Sequence, residues 1–431
     1  MKIYDILDKK RLGKELTKEE IEFFVNGVTN GTWQNYETTA MLMAIAINGM
    51  TKQETLNLTL SMLHSGDEVD LSVIDGICVD KHSSGGVSDT TSLGVIPIVA
   101  NCGLKSAKMS GRGLGFTGGT LDKLEAIDGF RTALTEEEFV NTVNTCGASI
   151  ISQTKNIAPA DKILYALRDQ TATIASIPLI ASSIMSKKLA SGAKIILLDV
   201  KYGLGAFMKT KHDAIKLAKA MVEIGKGAGR KVCAVITNMN LPLGNSVGCA
   251  LEVMDAIEVL NGKENNLSYL IKFFSAKLTN LALNIPMNEC YKKVNEVIAN
   301  KSGLNTLAQM TKMQGGNPDQ VLECKFKIAP VKYELIAEQD GYIADIDALK
   351  ISEIVANLGG ARFELGQSID HSVGVRIEKH YGAKVTKGDV IAVMYANTEE
   401  DSKNQIELLK DSFTLSQKAP KKLKLIAKII E

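Results

Sequence analysis

Two glycine-rich turns, about one βα unit apart, constrain the fold of this chain more than any other feature. The first turn covers residues 81–90 (KHSSGGVSDT), and the second covers residues 110–120 (SGRGLGFTGGT). Glycine and hydroxyl residues let backbone N–H groups approach a small anion closely, and a helix that begins after such a turn adds the positive end of its dipole. The stretch from Val79 to Glu125 therefore predicts a cradle for an oxyanion.

The segments around these turns alternate between β and helical patterns. In chain order, the β runs cover residues 77–80, 105–109, 194–200 and 232–237, and helical patterns cover residues 89–100 and 212–226. Strand, turn and helix in this order are typical of a parallel α/β sheet, in which ligands bind outside the carboxyl ends of the strands. Both glycine-rich turns are predicted to lie at that edge.

Other parts of the chain are purely helical in pattern. Two capping boxes mark helix starts there, at Thr17-x-x-Glu20 and Thr51-x-x-Glu54, and a third box, Thr135-x-x-Glu138, lies among the α/β segments. Residues 41–47 are apolar on almost all sides, which predicts a helix that is buried or packs against a partner subunit. We predict three units: a helical lobe at residues 1–65 and 157–192, an α/β lobe at 70–156 and 193–330, and a C-terminal α+β domain at 335–425.

Two neighbouring helices in the segment 157–192 carry polar residues on one face each. Asp161, Tyr165 and Arg168 fall at positions i, i+4 and i+7, and Ser183 and Lys187 fall at i and i+4. Each set therefore projects from one side of its helix. A plain salt bridge between Arg168 and Asp161 is the alternative interpretation, and Lys188 is expected on the helix surface.

The C-terminal part has short β runs between glycine turns, at residues 333–337, 341–346 and 390–395. The segment 383–391 resembles a hairpin of biotinyl- or lipoyl-type modules. Because no Met-Lys-Met attachment motif accompanies it, we interpret this part as an accessory domain and not as a carrier.

Composition excludes several classes of protein. The 431 residues include 50 Lys and Arg against 49 Asp and Glu, so no general attraction to nucleic acid or an anionic membrane is expected. The seven cysteines have no paired spacing, which argues against disulfides or a zinc site. The N-terminus lacks the apolar run of a signal peptide, and no stretch is long and apolar enough to span a membrane. We expect a cytoplasmic protein.

The polar residues of the predicted sites favour anion chemistry. Lys81, Ser83, Ser92, Ser110 and Thr120 belong to the cradle, and further donors are His82, Arg168, Ser183 and Lys187. The chain has no evident carboxylate pair of glycosidase type, Ser/His/Asp order or metal-ligand cluster. Donors and positive charge suit a leaving group that gains negative charge, and a bound phosphate is a candidate nucleophile.

Residues 110–125 (SGRGLGFTGGTLDKLE) resemble the signature of thymidine and pyrimidine-nucleoside phosphorylases, the nucleoside phosphorylase class II family. The resemblance continues through residues 80–83, 165–168, 199–201 and 205–208 and covers nearly the whole chain. It implies a two-lobe architecture, with an α/β lobe, an all-α lobe and a C-terminal α+β domain. It also implies a homodimer formed through the helical lobe.

The resemblance implies a role for each matching position. Phosphate would be held by Lys81, Ser83, Ser92, Lys108, Ser110 and Thr120. The pyrimidine would contact His82, Tyr165, Arg168, Ser183 and Lys187. Phosphate would attack C1′ through an oxocarbenium-like transition state while the base leaves as an anion stabilised by the catalytic residues His82, Arg168 and Lys187. No cofactor is required for this chemistry, and the partners are inorganic phosphate and pyrimidine nucleosides.

Bacterial relatives also bind a structural potassium ion, and the matching positions here are Ser88, Thr90, Leu243, Ser246 and Asp255. Ser88 and Phe116 stand where such relatives usually carry Gly and His, and Ser246 and Asp255 replace Ala and Glu. From the Ser88 and Phe116 departures we expect altered loop stiffness or affinity with activity retained, whereas the shorter carboxylate of Asp255 argues against a bound ion.

Other functions remain as alternatives. Gly113-x-Gly115-x-x-Gly118 matches a dinucleotide fingerprint, but the acidic residues at the required distance, 136–138, fall in a predicted helix start and not at a strand end. Anthranilate phosphoribosyltransferase shares the two-lobe architecture and a Lys-His beside a glycine turn. It needs a diphosphate-sized cradle and magnesium-binding acids, and these are not evident near Asp89. A strict thymidine phosphorylase and a nucleoside-binding protein without activity are the remaining candidates. His64, His212, His371 and His380 are expected at the surface or in the core.

Overall fold

The computed structural model describes residues 1–113, 118–154, 156–362 and 367–431. Residues 114–117, including the Phe116 departure and part of the second glycine-rich turn, lie outside the described residues. The α-helices are α1 (Ile3–Arg11), α2 (Lys18–Asn30), α3 (Asn35–Asn48), α4 (Lys52–Leu63), α5 (Thr91–Asn101), α6 (Thr120–Leu124), α7 (Glu136–Cys146), α8 (Pro159–Gln170), α9 (Ile177–Ala190), α10 (Lys211–Gly227), α11 (Cys249–Leu260), α12 (Asn266–Leu283), α13 (Met287–Ala299), α14 (Ser302–Met313), α15 (Pro318–Glu323), α16 (Ala348–Val355) and α17 (Glu399–Lys410).

The strands form a central α/β sheet and a C-terminal β region. They are β1 (Val79–Ser83), β2 (Ser106–Ser110), β3 (Ala148–Ser152), β4 (Ile195–Tyr202), β5 (Lys231–Asn238), β6 (Ser246–Val247), β7 (Val331–Ile336), β8 (Gly341–Ile346), β9 (Gly374–Ile377), β10 (Lys384–Val385), β11 (Val390–Ala396), β12 (Phe413–Ser416) and β13 (Ile426–Ile430). Strands β1, β4 and β5 are parallel neighbours, and β2 pairs in parallel with β3. The parallel α/β sheet predicted from the pattern is therefore present.

The parallel sheet has two buried faces because alternate residues of a strand point to opposite sides. On one side Val79, Leu197 and Val235 pack in the same hydrophobic cluster as residues of α5 and α12. On the other side Ile196 and Ala234 pack with residues of α9 and α10. We call these the α5 face and the α9 face, and the candidate site residues divide between them.

Helices from two distant parts of the chain share one hydrophobic cluster. It joins Ile21, Phe24 and Leu42 of the first helices with Leu164 of α8 and Leu179 of α9. The three predicted capping boxes are formed as expected, at the starts of α2, α4 and α7. Helix α9 also contributes to the cluster on the α9 face, so it lies between the helical bundle and the sheet.

The C-terminal β region is interleaved with the α/β core. Strand β6, which precedes α11, pairs with β9, and β13 returns to pair antiparallel with β5. The hairpin interpretation of residues 383–391 is wrong, because β10 pairs with β8 whereas β11 pairs with β7 and β9. Local alternation could not reveal these partners, since pairing depends on which distant edges are free.

Candidate functional site

The six residues predicted to hold phosphate come from strand ends and helix starts around one edge of the sheet. Lys81 and Ser83 end β1, Lys108 and Ser110 end β2, Ser92 lies in the first turn of α5, and Thr120 begins α6. The four strand residues have the parity of the α5 face. The N–H groups that begin α5 also lie at this edge, so the local field favours an anion.

Asp89 lies among cations and hydroxyls at the end of β1. Its carboxylate accepts hydrogen bonds of 2.5 Å from the hydroxyls of Ser83 and Thr91. The Lys201 ammonium lies 3.6 Å away, and the Lys123 ammonium donates to the Asp89 carbonyl at 2.8 Å. Although burial opposes its ionisation, these cations hold the pKa of Asp89 well below its usual range. The carboxylate is therefore ionised and already neutralised by the protein.

Lys81 lies beneath this cluster and is fully buried. Its ammonium donates to the Thr91 hydroxyl at 2.5 Å, lies 3.5 Å from Asp199 and sits 5.3 Å from the centre of the Phe274 ring. Burial lowers the pKa of Lys81, and the neighbouring carboxylates oppose that shift. In this structure Lys81 supports the Asp89 turn through Thr91.

Lys108 bridges the gap between β1 and β2. Its ammonium donates to the Lys81 carbonyl at 2.6 Å and lies 3.5 Å from the Asp80 carboxylate. Burial lowers the pKa of Lys108 to about 7, helped by the Lys188 and Lys81 cations and opposed by Asp80. Protonation of this ammonium is therefore sensitive to pH near neutrality.

The expectation that Lys188 is a surface residue is wrong. Its side chain is only 3 % exposed, and its ammonium lies 2.8 Å from the Asp80 carboxylate and donates to the Met109 carbonyl at 2.9 Å. The reason is that α9 packs directly on the sheet at this position, so a lysine on that side of the helix meets a buried carboxylate instead of solvent.

His82 points to the α9 face, opposite to Lys81 and Ser83, because it occupies the alternate position of β1. The side chain is half-buried. Desolvation lowers the pKa of His82 well below its usual value, and the shift is reinforced by the cations of Lys188, Lys108, Lys81 and Lys187. The imidazole is therefore neutral near pH 7 and offers one N–H as a donor.

The structure brings together Lys187, Ser183 and Asp161, three of the polar residues on α8 and α9. The Lys187 ammonium lies 2.7 Å from the Asp161 carboxylate and 3.3 Å from the Ser183 hydroxyl. The other Asp161 oxygen is buried and has no hydrogen-bond partner among the described residues. The polar sides predicted for α8 and α9 therefore meet at Lys187 and Asp161.

Arg168 is held by the backbone and not by a salt bridge to Asp161. Its terminal nitrogens donate to the carbonyls of Leu179 at 3.1 Å and Ile174 at 2.9 Å, and the Tyr165 ring lies 5.8 Å from the guanidinium. Nε is buried without a hydrogen-bond partner in the described part of the chain. Burial lowers the pKa of Arg168, and the Nε–H of this desolvated cation remains an unused donor among the described residues.

A buried polar pocket beside β6 contains three of the five residues predicted to bind potassium, namely Ser88, Ser246 and Asp255. A fourth, Leu243, adjoins this pocket. The Ser88 hydroxyl donates to the Ser246 carbonyl at 2.5 Å and accepts from the Gly244 N–H at 3.0 Å. The Asp255 carboxylate accepts from the Ser246 hydroxyl at 3.2 Å. Leu243 immediately precedes Gly244. Ser88 has a φ of 61°, a left-handed conformation that glycine adopts more readily.

Thr90, the fifth residue, lies two positions after Ser88, and its hydroxyl is buried without a partner within the described ranges. Carbonyl, hydroxyl and carboxylate oxygens suit a hard cation, so the chemistry of this set fits a potassium ion. The Ser88 hydroxyl, however, engages one of the carbonyls that the ion would need. No group of three or more His, Cys, Asp or Glu residues in the described parts is arranged to hold a metal.

Sequence reasoning assigned no role to several residues of this region. Asp199 and Lys201 alternate along β4 and form a 2.8 Å ion pair on the α5 face, and Asp80 was not singled out as the counter-ion of Lys108 and Lys188. The available signal was period-two spacing of charges in an otherwise apolar strand. Among the other histidines, His64 and His212 are exposed, whereas His371 and His380 are half-buried.

Models of one glycosyl transferase family match most of the chain. The helical bundle domain of that family matches residues 4–66, and its a/b domain matches residues 75–303. These matches, together with the fold, define a glycosyl transferase. A third model, the pyrimidine nucleoside phosphorylase C-terminal domain, matches residues 342–416.

Curated relatives narrow this class. A pyrimidine-nucleoside phosphorylase from Bacillus subtilis is 47% identical over 402 residues, and one from Geobacillus stearothermophilus is 46% identical over 404 residues; each alignment covers 93% of both chains. One from Staphylococcus aureus is 42% identical over 420 residues, covering 96% of both chains. This chain belongs to the pyrimidine-nucleoside phosphorylase family.

A solved structure shares the fold. The anthranilate phosphoribosyltransferase TrpD from Thermus thermophilus matches with a TM-score of 0.58 and 16% sequence identity, covering 72% of this chain and 99% of that chain. This likeness concerns architecture alone.

The dinucleotide interpretation loses support, since the acidic residues that it required begin helix α7. No described helix is long and apolar enough to cross a membrane.

Proposed function

We propose that this protein is a pyrimidine-nucleoside phosphorylase. It uses inorganic phosphate to convert uridine, thymidine and deoxyuridine into the free pyrimidine and α-D-ribose or α-D-deoxyribose 1-phosphate. The observation that carries the proposal is the position of His82 and Ser83. These consecutive residues end β1 and point to opposite faces of the sheet. The residues proposed to bind phosphate and those proposed to bind the base therefore meet at adjacent positions of one strand.

In the proposed reaction, a phosphate oxygen forms a bond to C1′ while the bond between C1′ and the base nitrogen breaks. The bonding electron pair leaves with the base, which becomes an anion. Neutral His82 donates its N–H toward a carbonyl of the base, and the cations of Lys187 and Arg168 stabilise the developing charge. In a dry site each well-aimed donor is worth roughly 3–4 kcal/mol of transition-state stabilisation.

The phosphate is proposed to bind at the ends of β1 and β2 and the starts of α5 and α6. Ser92, Ser110 and Thr120 offer hydroxyls, and Ser83 offers its own once it releases the Asp89 carboxylate. Lys81 and Lys108 supply positive charge from the buried side of the site. Arg168 keeps an Nε–H without a partner in the described part of the chain, beside its two bonds to backbone carbonyls, so it can donate to a pyrimidine carbonyl without giving up either bond. Closure of the helical lobe over the sheet would bring Arg168 and the base together and exclude water.

A homodimer formed through the helical lobe is part of the proposal. Helices α1 and α3 pack together and leave Tyr4, Tyr36 and Ile47 exposed by 75%, 74% and 74%. Helix α3 buries Met41, Leu42 and Ile45 on its other side, so its remaining apolar surface is available for a second copy. The near balance of charge favours small-molecule substrates over nucleic acid, and a cytoplasmic location is part of the proposal.

A potassium ion in the oxygen pocket of Ser88, Ser246 and Asp255 is proposed as a structural element with no part in the chemistry. Its function would be to hold the turn after β1 against the loop before α11. Because the Ser88 hydroxyl must release the Ser246 carbonyl first, binding is expected to be weaker than in a chain with glycine at this position.

The test is release of free base from uridine and from thymidine, followed by absorbance with and without inorganic phosphate. Phosphate-dependent release from both nucleosides is the expected result. Release from thymidine alone would indicate a strict thymidine phosphorylase. Binding of uridine without turnover would indicate a nucleoside-binding protein, and turnover of anthranilate with a phosphoribosyl diphosphate would indicate the transferase alternative.

A further inference from the structure

One carboxylate holds both ends of the second glycine-rich turn. The Asp122 Oδ2 atom accepts a hydrogen bond of 2.6 Å from the Gly113 N–H and one of 2.9 Å from the Gly119 N–H. Asp122 is 1% exposed and lies in the first turn of α6. Because hydrogen bonds from backbone donors to an ionised acceptor are strong, Asp122 sets the distance between the two ends of the turn.

A buried carboxylate needs compensating charge, and the C-terminal domain supplies it. The Arg362 Nη1 atom lies 3.1 Å from Asp122 Oδ1 and donates to the Gly113 carbonyl at 3.3 Å, while Nε donates to the Gln367 carbonyl at 2.7 Å. The Arg362 side chain is 9% exposed. Arg112 also approaches Asp122, at 3.4 Å, but its side chain is 46% exposed and is mainly occupied by Glu125.

We propose that Arg362 is a positioning residue for phosphate binding, acting through Asp122 on the turn that joins β2 to α6. The inference rests on the proposed function, since it takes this turn to be part of the phosphate site. Arg362 does not contact the phosphate in this arrangement. It holds the Asp122 carboxylate in place, and thereby keeps Gly113 and Gly119 at the spacing that phosphate binding requires.

The physical basis is the cost of an unpaired buried charge. Without Arg362, the Asp122 carboxylate keeps its two N–H donors but loses its buried cation, and the Gly113 carbonyl loses a donor. Breaking one partner of a buried ion pair is strongly unfavourable, so the turn would relax toward solvent. Displacement of Gly113 and Gly119 would aim Ser110 and Thr120 less well at an anion.

Arg376 provides a matched control, which separates an effect on the turn from a simple loss of docking of the C-terminal domain. Arg376 also reaches from this domain to the α/β core, where its Nη2 atom lies 3.3 Å from Glu258 on α11. The Arg376 side chain is 25% exposed, and its recorded partners, Glu258 and Glu378, are not part of the turn. Loss of domain docking alone would thus affect Arg376→Ala and Arg362→Ala similarly.

The experiment compares wild-type protein with R362A, R362K and R376A in steady-state phosphorolysis of uridine, varying phosphate and uridine separately. Thermal stabilisation by inorganic phosphate is measured in parallel. We expect R362A to raise the phosphate KM about tenfold, with the uridine KM changed less than about twofold. R362K keeps the charge but lacks the planar, forked donors of a guanidinium. Its phosphate KM is expected to lie between those of wild type and R362A. R376A should keep the wild-type phosphate KM within about twofold.

A phosphate KM of R362A within about twofold of wild type would overturn the inference, as would an equal rise in R376A. If R362A does not fold, R362K carries the test, and a wild-type phosphate KM in that variant would overturn the inference. Failure of the proposed function is distinguishable, because then the wild-type protein itself would show no phosphate-dependent release of base.

Discussion

The Lys187 ammonium lies 2.7 Å from the Asp161 carboxylate and so ties α9 to α8 at the proposed base site. The pair is unequal: the Lys187 side chain is 26% exposed, whereas Asp161 is 4% exposed. Asp161 therefore orients the Lys187 ammonium from the buried side, while the ammonium still faces solvent. This arrangement suits a cation that must contact both the protein and an incoming base.

Replacing Lys187 by Met should lower kcat/KM for uridine by about 100-fold, because one charged donor in the site is lost. Steady-state kinetics at saturating phosphate measure the effect. Lys162→Met is the control, since Lys162 is an exposed neighbour of Asp161 on α8. If both variants kept wild-type kinetics, Lys187 would have no part in base binding or catalysis.

Replacing His82 by Ala should lower kcat more than it weakens phosphate binding, because His82 points to the α9 face, away from Ser83. The loss is expected to be about 10- to 100-fold in kcat, with the phosphate KM changed less than about threefold. His64→Ala, at a histidine whose side chain is 64% exposed, serves as the control. Full kcat in the His82 variant would remove this residue from the mechanism.

The phosphate KM should rise with pH through the titration of Lys108. Its pKa is lowered to about 7 by burial, so the cation is present below pH 7 and lost above it. The KM is measured from pH 6 to pH 8.5 for wild type and Lys108→Arg, whose guanidinium stays charged. Titration of phosphate itself affects both proteins equally, so the ratio of their KM values should change with pH. A constant ratio would contradict the prediction.

Replacing Lys188 by Met should destabilise the fold by about 3 kcal/mol, since it removes a buried partner of Asp80. Urea unfolding followed by circular dichroism measures the loss. Lys194→Met, at an exposed lysine just before β4, should change the free energy of unfolding by less than about 0.5 kcal/mol. Equal stabilities of the two variants would be inconsistent with the buried ion pair.

Replacing Ser88 by Gly should strengthen potassium binding, because the Ser246 carbonyl is then free and the positive φ no longer carries a side chain. The midpoint of thermal unfolding is compared in KCl and NaCl at equal ionic strength. We expect a larger rise with KCl in Ser88→Gly than in wild type. If neither protein responds to KCl and dialysed protein retains no potassium, the ion hypothesis is wrong.

Local signals predicted much of this fold. Strand β8 was predicted at its observed bounds, Gly341–Ile346, and α10 was predicted within about one residue at each end. The run before the first glycine turn was predicted at residues 77–80, whereas β1 extends to Ser83. The miss has a physical reason: Lys81 and Ser83 look like turn residues by polarity, but Asp199 and Asp89 balance them inside the sheet.

Which residues belong to the candidate site could be predicted from the sequence, but how they are arranged in space could not. The hydroxyl and lysine positions of the glycine-rich turns follow from the sequence, and the structure distributes them over the ends of β1 and β2 and the starts of α5 and α6. The division of His82 and Lys81 between two faces follows from strand alternation. The predicted strand stops at residue 80 and so includes neither residue. For that reason the division between the two faces could not be predicted.

By itself, the sequence determined what depends on neighbours in the chain: helix starts at capping boxes, strand and helix periods, and two turns able to approach an anion. Only the tertiary structure decided which distant charges meet, as Lys188 does with Asp80 across 108 positions and Arg362 with Asp122 across 240. The reason is physical. Capping and periodicity act over a few residues, whereas the partner of a buried charge is whichever opposite charge the packed layers bring within reach.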